Sequence, residues 1–268
     1  MGSLVVQLKG KLFRDLADEE VVIPHLERAL FSGKWPESYT IKVDTAEHKP
    51  PPLGEIRYFY PSTHCLMDPR QLYYEMHPDY WPKLPKPKFP MSSIMSMTMG
   101  TAAHAIVQTQ LQMAGKIKSE EDIEVKFVNE ARRCRGRLDW IFTQGNDNRL
   151  PVELKTQNSR AFGQTDEIAP SWECQLQVTM DGLGYEEGVL LLIEMGHPWQ
   201  MREFRVRRDE ELLKTIYDKW ELVLGHVRAN SPPGHCCERG SSVMDKCRAK
   251  SVCWLAEHQE GRSDRSNG

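Results

Sequence analysis

Two carboxylates and one ammonium group are predicted to meet on a β-hairpin near the middle of the chain. Residues 136–142 and 150–156 have strand-like sequences, and the Gly-Asn-Asp-Asn between them is a strong turn signal. A hairpin folded about that turn pairs residues whose numbers sum to 292, so that Asp139 lies opposite Glu153. Because strand side chains alternate between faces, Glu153 and Lys155 share one face. The three side chains therefore converge on one patch.

Such a patch suits metal-dependent chemistry on a phosphodiester. A divalent cation bound by hard oxygen ligands polarises the phosphate and activates water. Asp139 and Glu153 would supply ligand oxygens, and the backbone carbonyl of Leu154 would be a further ligand. Lys155 would orient the attacking water or stabilise charge in the transition state. The alternative is an ordinary hairpin with a solvated charged face, which has the same sequence pattern.

His104 is the candidate for a nitrogen ligand. It lies in residues 97–115, which are predicted to form a helix, and it recurs with Val107 and Leu111 on one face. His104 is therefore expected to point inward. A helix packed beside the hairpin would bring the imidazole to the metal and would favour Mn²⁺ alongside Mg²⁺. The alternative is a core histidine that only satisfies its hydrogen bonds.

Two further polar residues lie on neighbouring predicted elements. Gln175 lies in a helix predicted for residues 171–182, where its amide could hold a water or a phosphate, or bond only to backbone. Glu124 lies in a short strand predicted for residues 123–128. Glu124 is interpreted as a solvated surface carboxylate, and a role as an accessory acidic residue is the alternative.

Clustered cysteines near the C-terminus indicate a second centre. The chain has seven cysteines, and four of them fall in the last 33 residues. In a chain without a secretion signal, such a cluster favours metal ligation over disulfides. Either Cys236 or Cys237 would join Cys247 and Cys253, and Cys65, predicted at the start of a helix, is the best fourth thiol. Four thiolates suit [4Fe–4S] or structural Zn²⁺, and free buried thiols are the alternative.

Composition places the chain among soluble globular proteins. It has 268 residues, of which 40% are hydrophobic and 27% charged, and a net charge of −3, which gives no global indication of nucleic-acid binding. No apolar run approaches the ~20 residues of a membrane span and no signal-peptide pattern is present, so an intracellular location is expected. Local basic stretches are interpreted as solvated strand faces: Arg132, Arg133, Arg135 and Arg137, and Arg202, Arg205, Arg207 and Arg208.

The order of the predicted elements indicates an α/β fold. A helix is followed by three strands, a second helix and a further apolar strand, with helices at both ends. The run of residues 189–193 is apolar throughout, as expected for a strand buried on both faces. The sequence therefore predicts a mixed sheet flanked by helices.

The ordered set of motifs resembles the RecB-like branch of the PD-(D/E)xK nucleases. The matching residues are His104, Gly136-x2-Asp139, Glu153-x-Lys155 and Gln175, in that order. One cysteine before this core and three after it resemble the iron–sulfur members, which include the CRISPR-associated RecB-like exonucleases and the AddB nuclease domain. Residues 60–74 look like the Ser…Cys-Pro-Arg-x-Phe-Tyr helix of those members. The resemblance spans roughly residues 58–255.

The resemblance implies a fold and a set of residue roles. The fold would be a restriction-endonuclease-like mixed sheet core flanked by helices. The ligands of Mg²⁺ or Mn²⁺ would be His104, Asp139, Glu153 and the Leu154 carbonyl, with Lys155 catalytic and Gln175 in the active site. A [4Fe–4S] cluster, or structural Zn²⁺ in its place, would join the N- and C-terminal segments through Cys65, Cys236 or Cys237, Cys247 and Cys253.

The implied function is a metal-dependent DNA exonuclease that prefers single-stranded ends and acts in DNA recombination, repair or replication. Its partners would be DNA, mainly single-stranded, and recombination or replication proteins, with no membrane. It would act in the cytoplasm, which is the host cytoplasm if the chain is phage-encoded. Two alternatives stay open: a non-catalytic or structure-specific DNA-binding protein with an iron–sulfur or zinc staple, and an endonuclease of the same fold.

Five segments are expected along the chain. They are an N-terminal helical and loop segment (1–57), the Cys65 helix with a Pro-rich loop (58–95), the nuclease core (96–208), a C-terminal helix with the Cys-rich region (209–258), and a disordered tail (259–268).

Three features of the sequence depart from the family pattern. Thr179 stands where the family often has tyrosine, four residues after Gln175. The first gap among the C-terminal cysteines is nine or ten residues instead of two. Pro151 lies in the strand of Glu153, where a proline is expected only at a sheet edge or a bulge.

Overall fold

Two compact units make up the chain, and each is discontinuous in sequence. The structure is a computed structural model that describes residues 20–39, 54–196 and 199–254. The first unit comprises Met1–Thr45, Phe89–Val128 and Arg135–Leu213, and the second comprises Ala46–Lys88, Asn129–Cys134 and Lys214–Gly268. The residues predicted for divalent-metal chemistry therefore belong to the first unit, and the thiols predicted as ligands belong to the second.

A five-stranded mixed sheet is central to the first unit. Its strands are β1 (Ile123–Asn129), β2 (Cys134–Thr143), β3 (Arg149–Gln157), β4 (Glu187–Glu194) and β5 (Met201–Arg207). They lie side by side in sequence order. Strand β3 is antiparallel to β2 and parallel to β4, and β4 is antiparallel to β5. The predicted α/β fold with a mixed sheet is confirmed, as is the full burial of residues 189–193 in β4.

Helices make up about half of the described chain outside the sheet. They are α1 (Ile23–Phe31), α2 (Pro61–His64), α3 (Pro69–Met76), α4 (Met91–Met113), α5 (Ser159–Phe162), α6 (Pro170–Leu183), α7 (Glu210–Arg228) and α8 (Ser242–Lys246). Helix α4 begins six residues before its predicted start, directly after the extended Pro90. The tail predicted for 259–268 lies outside the described residues. Across the described ranges, no helix combines the length and the apolarity that a membrane span requires.

The hairpin of β2 and β3 has the predicted register. Trp140 pairs with Val152, and the pairing continues in that register to the turn. One hydrophobic cluster contains Trp140, Phe142, Val152 and Leu154, and a second contains Leu138, Ile141, Leu190 and Leu192. Leu138 and Trp140 thus belong to different clusters although they are two residues apart, so the regular alternation is interrupted at Asp139. The interruption therefore falls at a residue that the sequence predicts to bind the metal.

Pro151 lies inside the sheet and not at an edge or a bulge, which corrects the expectation for this residue. It pairs with Ile141 of β2. On its other side, β3 pairs with β4 only from Val152 onward, so no N–H of residue 151 is needed for that ladder. Gly188 leaves room for the ring, because a Cβ at residue 188 would lie 3.2 Å from Cγ of Pro151. The proline is tolerated because it precedes the parallel pairing.

In the second unit, the segment around Cys65 packs on helix α7. Phe59 stacks on Trp220 with ring centroids 4.6 Å apart, and the indole N–H donates to the carbonyl of His64 at 3.4 Å. Cys65 ends α2 and does not begin a helix, since α3 starts at Pro69. The expected stabilisation of a Cys65 thiolate by a helix N-terminus is therefore wrong.

Candidate active site

Glu153, Lys155 and Gln175 form a closed triangle of hydrogen bonds. The Lys155 ammonium donates to Glu153 Oε1 at 2.8 Å and to Gln175 Oε1 at 2.9 Å. The Gln175 amide donates to the same Glu153 oxygen at 2.6 Å. Gln175 lies on helix α6, whereas Glu153 and Lys155 lie on strand β3. The three side chains that the sequence predicts for the site on β3 and α6 are therefore in contact. A single Glu153 oxygen accepts hydrogen bonds from both Lys155 and Gln175.

The other oxygen of Glu153 has no hydrogen-bond partner among the described residues, although it is buried. The residue as a whole is 4% exposed. Burial raises the pKa of Glu153 to about 7, the charge of Asp139 adds to the rise, and Lys155 opposes it. A buried acceptor without a partner typically costs about 1–3 kcal/mol. A bound cation would remove that cost, so the donor set fits a metal ligand at this oxygen.

The Asp139 carboxylate contacts both strand β3 and helix α4. Its Oδ2 accepts the backbone N–H of Leu154 at 2.6 Å, and its Oδ1 lies 3.4 Å from Nδ1 of His104. The carboxylate of Asp139 thus takes a backbone donor from β3 while its second oxygen faces α4. The side chain of Leu154 packs in the hydrophobic core. A metal-binding role for the Leu154 carbonyl stays a prediction.

His104 reaches the site from helix α4. Its side chain is 24% exposed, whereas Val107 and Leu111 on the same face are fully in the core. Burial lowers the pKa of His104, but the hydrogen bond and charge of Asp139, followed by the charge of Glu153, raise it further than burial lowers it. Metal binding requires the neutral imidazole, so protonation of His104 would compete with metal binding.

Glu124 is a member of the site that sequence analysis interpreted as a solvated surface residue. In the described chain, one group of three metal-ligating side chains has ligand atoms within 4.8 Å of one another, namely His104, Glu124 and Asp139. Burial raises the pKa of Glu124, opposed by Arg137 and reinforced by Asp139. Its position on β1, fifteen residues before Asp139, carries no local signal, so only the pairing of the strands reveals it.

Thr179 and the basic stretches have structural roles. Thr179 is buried and donates to the backbone carbonyl of Gln175 at 2.8 Å. The arginines contact protein groups: Arg137 with Glu124, Arg205 and Arg207 with Glu187, Arg208 with Asp181, Arg202 with the carbonyls of Phe162 and Thr165, Arg132 with the Tyr217 ring, and Arg133 with the carbonyl of Ile56. These contacts give each of these seven arginines a protein partner.

Cys236 and Cys253 interact with residues at the start of helix α3. Burial raises the pKa of Cys236 to about 12, and Asp68 and then Cys237 add to the rise. Burial also raises the pKa of Cys247, with further contributions from the charges of Cys253 and Cys237. Mutual interactions of this kind indicate that the four C-terminal thiols share one region of the second unit.

Cys253 has a defined environment in that region. Its sulfur accepts a hydrogen bond from the Nε–H of Arg70 at 3.0 Å and lies 3.7 Å from Nδ1 of His235. Cys65 is also buried. Within the described residues, however, no three of the thiols have their sulfur atoms within 4.8 Å of one another. The second unit contains enough thiols for a four-thiolate metal site. In the structure, however, their sulfur atoms are not close enough together to form that site.

Comparison with known proteins gives structural likenesses only. No family model matches the chain, and no curated protein matches it. A similar solved structure is that of SSO0001, with 18% identity, a TM-score of 0.45, and coverage of 87% of this chain and 94% of that chain.

A second similar structure is an alkaline exonuclease (LHK-Exo) from Laribacter hongkongensis, with 15% identity, a TM-score of 0.46, and coverage of 66% of this chain and 90% of that chain. The same exonuclease in complex with dAMP matches with a TM-score of 0.36, 15% identity and the same coverage. At such TM-scores these likenesses establish neither a family nor an activity for this chain, so its function rests on the geometry of the site.

Proposed function

We propose that the protein is a metal-dependent DNA exonuclease that hydrolyses phosphodiester bonds and prefers single-stranded ends. The observation that carries this proposal is the buried, unpartnered oxygen of Glu153 beside Asp139, with Lys155 and Gln175 fixed on the other oxygen. A purely structural ion pair would satisfy both carboxylate oxygens. Here the protein holds the carboxylate rigidly and leaves one oxygen for a ligand.

The residues divide into metal ligands and groups that act on the substrate. His104, Asp139, Glu153 and the Leu154 carbonyl would hold Mg²⁺ or Mn²⁺, which when bound polarises the phosphodiester and activates water. Lys155 orients Glu153 and places an ammonium where negative charge develops on the phosphate. Gln175 fixes the direction of both partners. The side chains need little rearrangement before substrate binds, which lowers the cost of reaching the reactive geometry.

Activity on end-labelled single-stranded DNA with Mg²⁺ or Mn²⁺ tests the proposal. We expect Asp139→Ala and Lys155→Ala to be folded and inactive. The matched controls are Asp166→Ala and Lys126→Ala, which remove exposed charges in the same unit and should stay active. Full activity of both site variants would end the nuclease proposal.

The alternatives are separated by the form of DNA used. Cleavage of covalently closed circles would show an endonuclease, since an exonuclease requires an end. Binding of single strands by the wild type without any turnover would show a non-catalytic DNA-binding protein. The proposed setting is DNA recombination, repair or replication in the cytoplasm, with recombination or replication proteins as partners.

We further propose that Cys65, Cys236 or Cys237, Cys247 and Cys253 hold a [4Fe–4S] cluster or, in its place, structural Zn²⁺. The proposal is supported by the interactions among the four C-terminal thiols, by the presence of Cys65 in the same unit, and by the four-sulfur donor set. Iron, sulfide and zinc analysis of anaerobically purified protein tests it. We expect Cys65→Ala and Cys253→Ala to lose the metal and Cys134→Ala, another buried thiol of the same unit, to keep it. Wild-type protein without iron and zinc would refute the proposal.

A further inference from the structure

We propose that Glu124 is an additional ligand of the active-site metal, and that metal binding transfers its carboxylate from Arg137 to the metal. The inference rests on the proposed function, because it concerns the same metal. Its starting point is position, since ligand atoms of His104, Glu124 and Asp139 lie within 4.8 Å of one another. Strand β1 brings Glu124 to the two residues delivered by α4 and β2.

Helix α4 supports Glu124 as well as supplying His104. Gln108 follows His104 by one helical turn and therefore lies on the same face of α4. Its amide donates to the backbone carbonyl of Asp139 at 3.1 Å, and its side chain also hydrogen-bonds the Glu124 carboxyl. Gln108 is buried. We assign Gln108 as a positioning residue that ties β1 to β2 at the metal site.

The backbone of Glu124 has a conformation that side-chain-bearing residues rarely adopt. Its φ is +54°, in the left-handed region, although it lies within a strand. Such a conformation persists where the surroundings impose it, and it is frequent at functional sites. Strand β1 therefore departs from regular strand geometry at Glu124, the residue that groups with His104 and Asp139.

Glu153 provides an independent indication that a cation belongs at this group. It is 4% exposed, and its Oε2 is buried without a hydrogen-bond partner in the described chain. The charges of Asp139 and His104 act on Glu153, so Glu153 lies near this group, although it is not one of the three residues whose ligand atoms lie within 4.8 Å of one another. Carboxylates from three strands and one imidazole make a donor set suited to Mn²⁺ or Mg²⁺.

Arg137 neutralises Glu124 when no metal is bound. The guanidinium Nε forms an ion pair with Glu124 Oε2, and the Arg137 side chain is 48% exposed. The positive charge of the Arg137 guanidinium opposes an incoming dication at close range. Metal binding would break the Arg137–Glu124 ion pair and form a bond between Glu124 and the metal. This exchange transfers no electron.

Mn²⁺ binding to the full-length, DNA-free protein tests the inference, with free Mn²⁺ measured by electron paramagnetic resonance. We expect Glu124→Gln to weaken binding by about tenfold or more. Arg137→Gln should tighten it by roughly threefold, because a competing cation is removed. The matched control is Glu187→Gln, which removes another strand carboxylate that is ion-paired with arginine and should leave binding unchanged. His104→Ala serves as a reference for loss of the site.

Each outcome decides one part of the inference. Wild-type binding by Glu124→Gln, together with loss of binding by His104→Ala, would refute the ligand role of Glu124 and leave the proposed nuclease site intact. Unchanged binding in both variants would refute the metal site and the proposed function with it. Weaker binding by Glu124→Gln without tighter binding by Arg137→Gln would support Glu124 as a ligand and overturn the exchange with Arg137.

Discussion

The carboxylate site of the first unit and the thiol region of the second differ in how completely the protein holds its donors. Glu153 is held by Lys155 and Gln175 at 2.8 Å and 2.6 Å, on a strand in the middle of the sheet. The thiols lie near one another, but in the described chain no three sulfur atoms come within 4.8 Å. Cys65 and Cys247 cap helices of only four and five residues.

This difference has a physical cause. A side chain on a packed strand has its backbone fixed by two neighbours and its rotamer fixed by contacts, so it is ordered before a ligand binds. A side chain at the end of a short helix has fewer constraints, and metal binding supplies the free energy that gathers it. We therefore expect the active-site metal to serve chemistry and the thiol-bound metal to serve stability.

The largest effect should separate metal binding from catalysis within the carboxylate site. Lys155→Ala should lower kcat by about a thousandfold, because the ammonium no longer stabilises charge on the phosphate. Its Mn²⁺ affinity should stay close to that of wild type. Asp139→Asn should lose both. Steady-state nuclease assays and Mn²⁺ titrations measure the two quantities, and equal loss of metal by both variants would contradict the division of roles.

Metal removal should affect the two regions differently. Removing metal from the thiols with a strong chelator should lower the Tm by about 10 °C or more, because binding free energy there is folding free energy. Removing Mg²⁺ or Mn²⁺ with EDTA should change it by a few degrees at most. Calorimetry before and after each treatment measures the difference. Equal shifts would show that the two regions are held in the same way.

Glu153 should make stability of the metal-free protein depend on pH. Its pKa is raised to about 7 by burial and then by Asp139. The folded state therefore favours the protonated acid, and this contribution is complete below the ordinary pKa and lost as pH rises through about 7. Relative to Glu153→Gln, wild type should lose on the order of 2 kcal/mol between pH 4.5 and pH 8.

Denaturant unfolding in EDTA measures this difference. Glu187→Gln, which removes a strand carboxylate paired with two arginines, is the control and should show no comparable change relative to wild type. A difference between wild type and Glu153→Gln that does not vary with pH would contradict the buried, unsatisfied carboxyl.

His64 should have the opposite effect in the second unit. Burial, followed by the charges of Arg57 and Arg248, lowers its pKa to about 3. The neutral ring accepts the backbone N–H of Tyr60 at 2.9 Å. Stability from His64 is therefore present above its ordinary pKa of 6.5 and is lost as pH falls toward 3. By pH 5 the loss should be about 2 kcal/mol.

His64→Asn keeps an acceptor for the Tyr60 N–H and should remove most of this pH dependence. Unfolding at pH 7 and pH 5, monitored by tryptophan fluorescence, measures it. His226→Asn is the control, since that histidine is partly exposed and bonds only the carbonyl of Ser231 among the described contacts. If wild type and His64→Asn respond alike to acid, the buried neutral histidine is not the cause.

Local sequence patterns determined most of the sheet and part of the site. The alternation of apolar residues and the turn between the strands set the register of β2 and β3, in which Trp140 pairs with Val152 next to the two carboxylates of the site. The apolar run of β4 predicted its burial, and the helical spacing of His104 and Val107 predicted the inner face of α4. These features depend on periods of two or 3.6 residues, which are visible in the chain itself.

Tertiary structure alone decided the membership and the electrostatics of the site. Glu124 joins His104 only because β1 lies beside β2, and Glu153 keeps one oxygen unpartnered only because α6 brings Gln175 to the other. Pro151 is accommodated because the parallel pairing with β4 begins one residue later. Contacts between distant segments depend on which elements pack together, and no local period records that. The sequence determined the hairpin that carries Asp139 and Glu153, and the packing around it decided which oxygen is left for a metal.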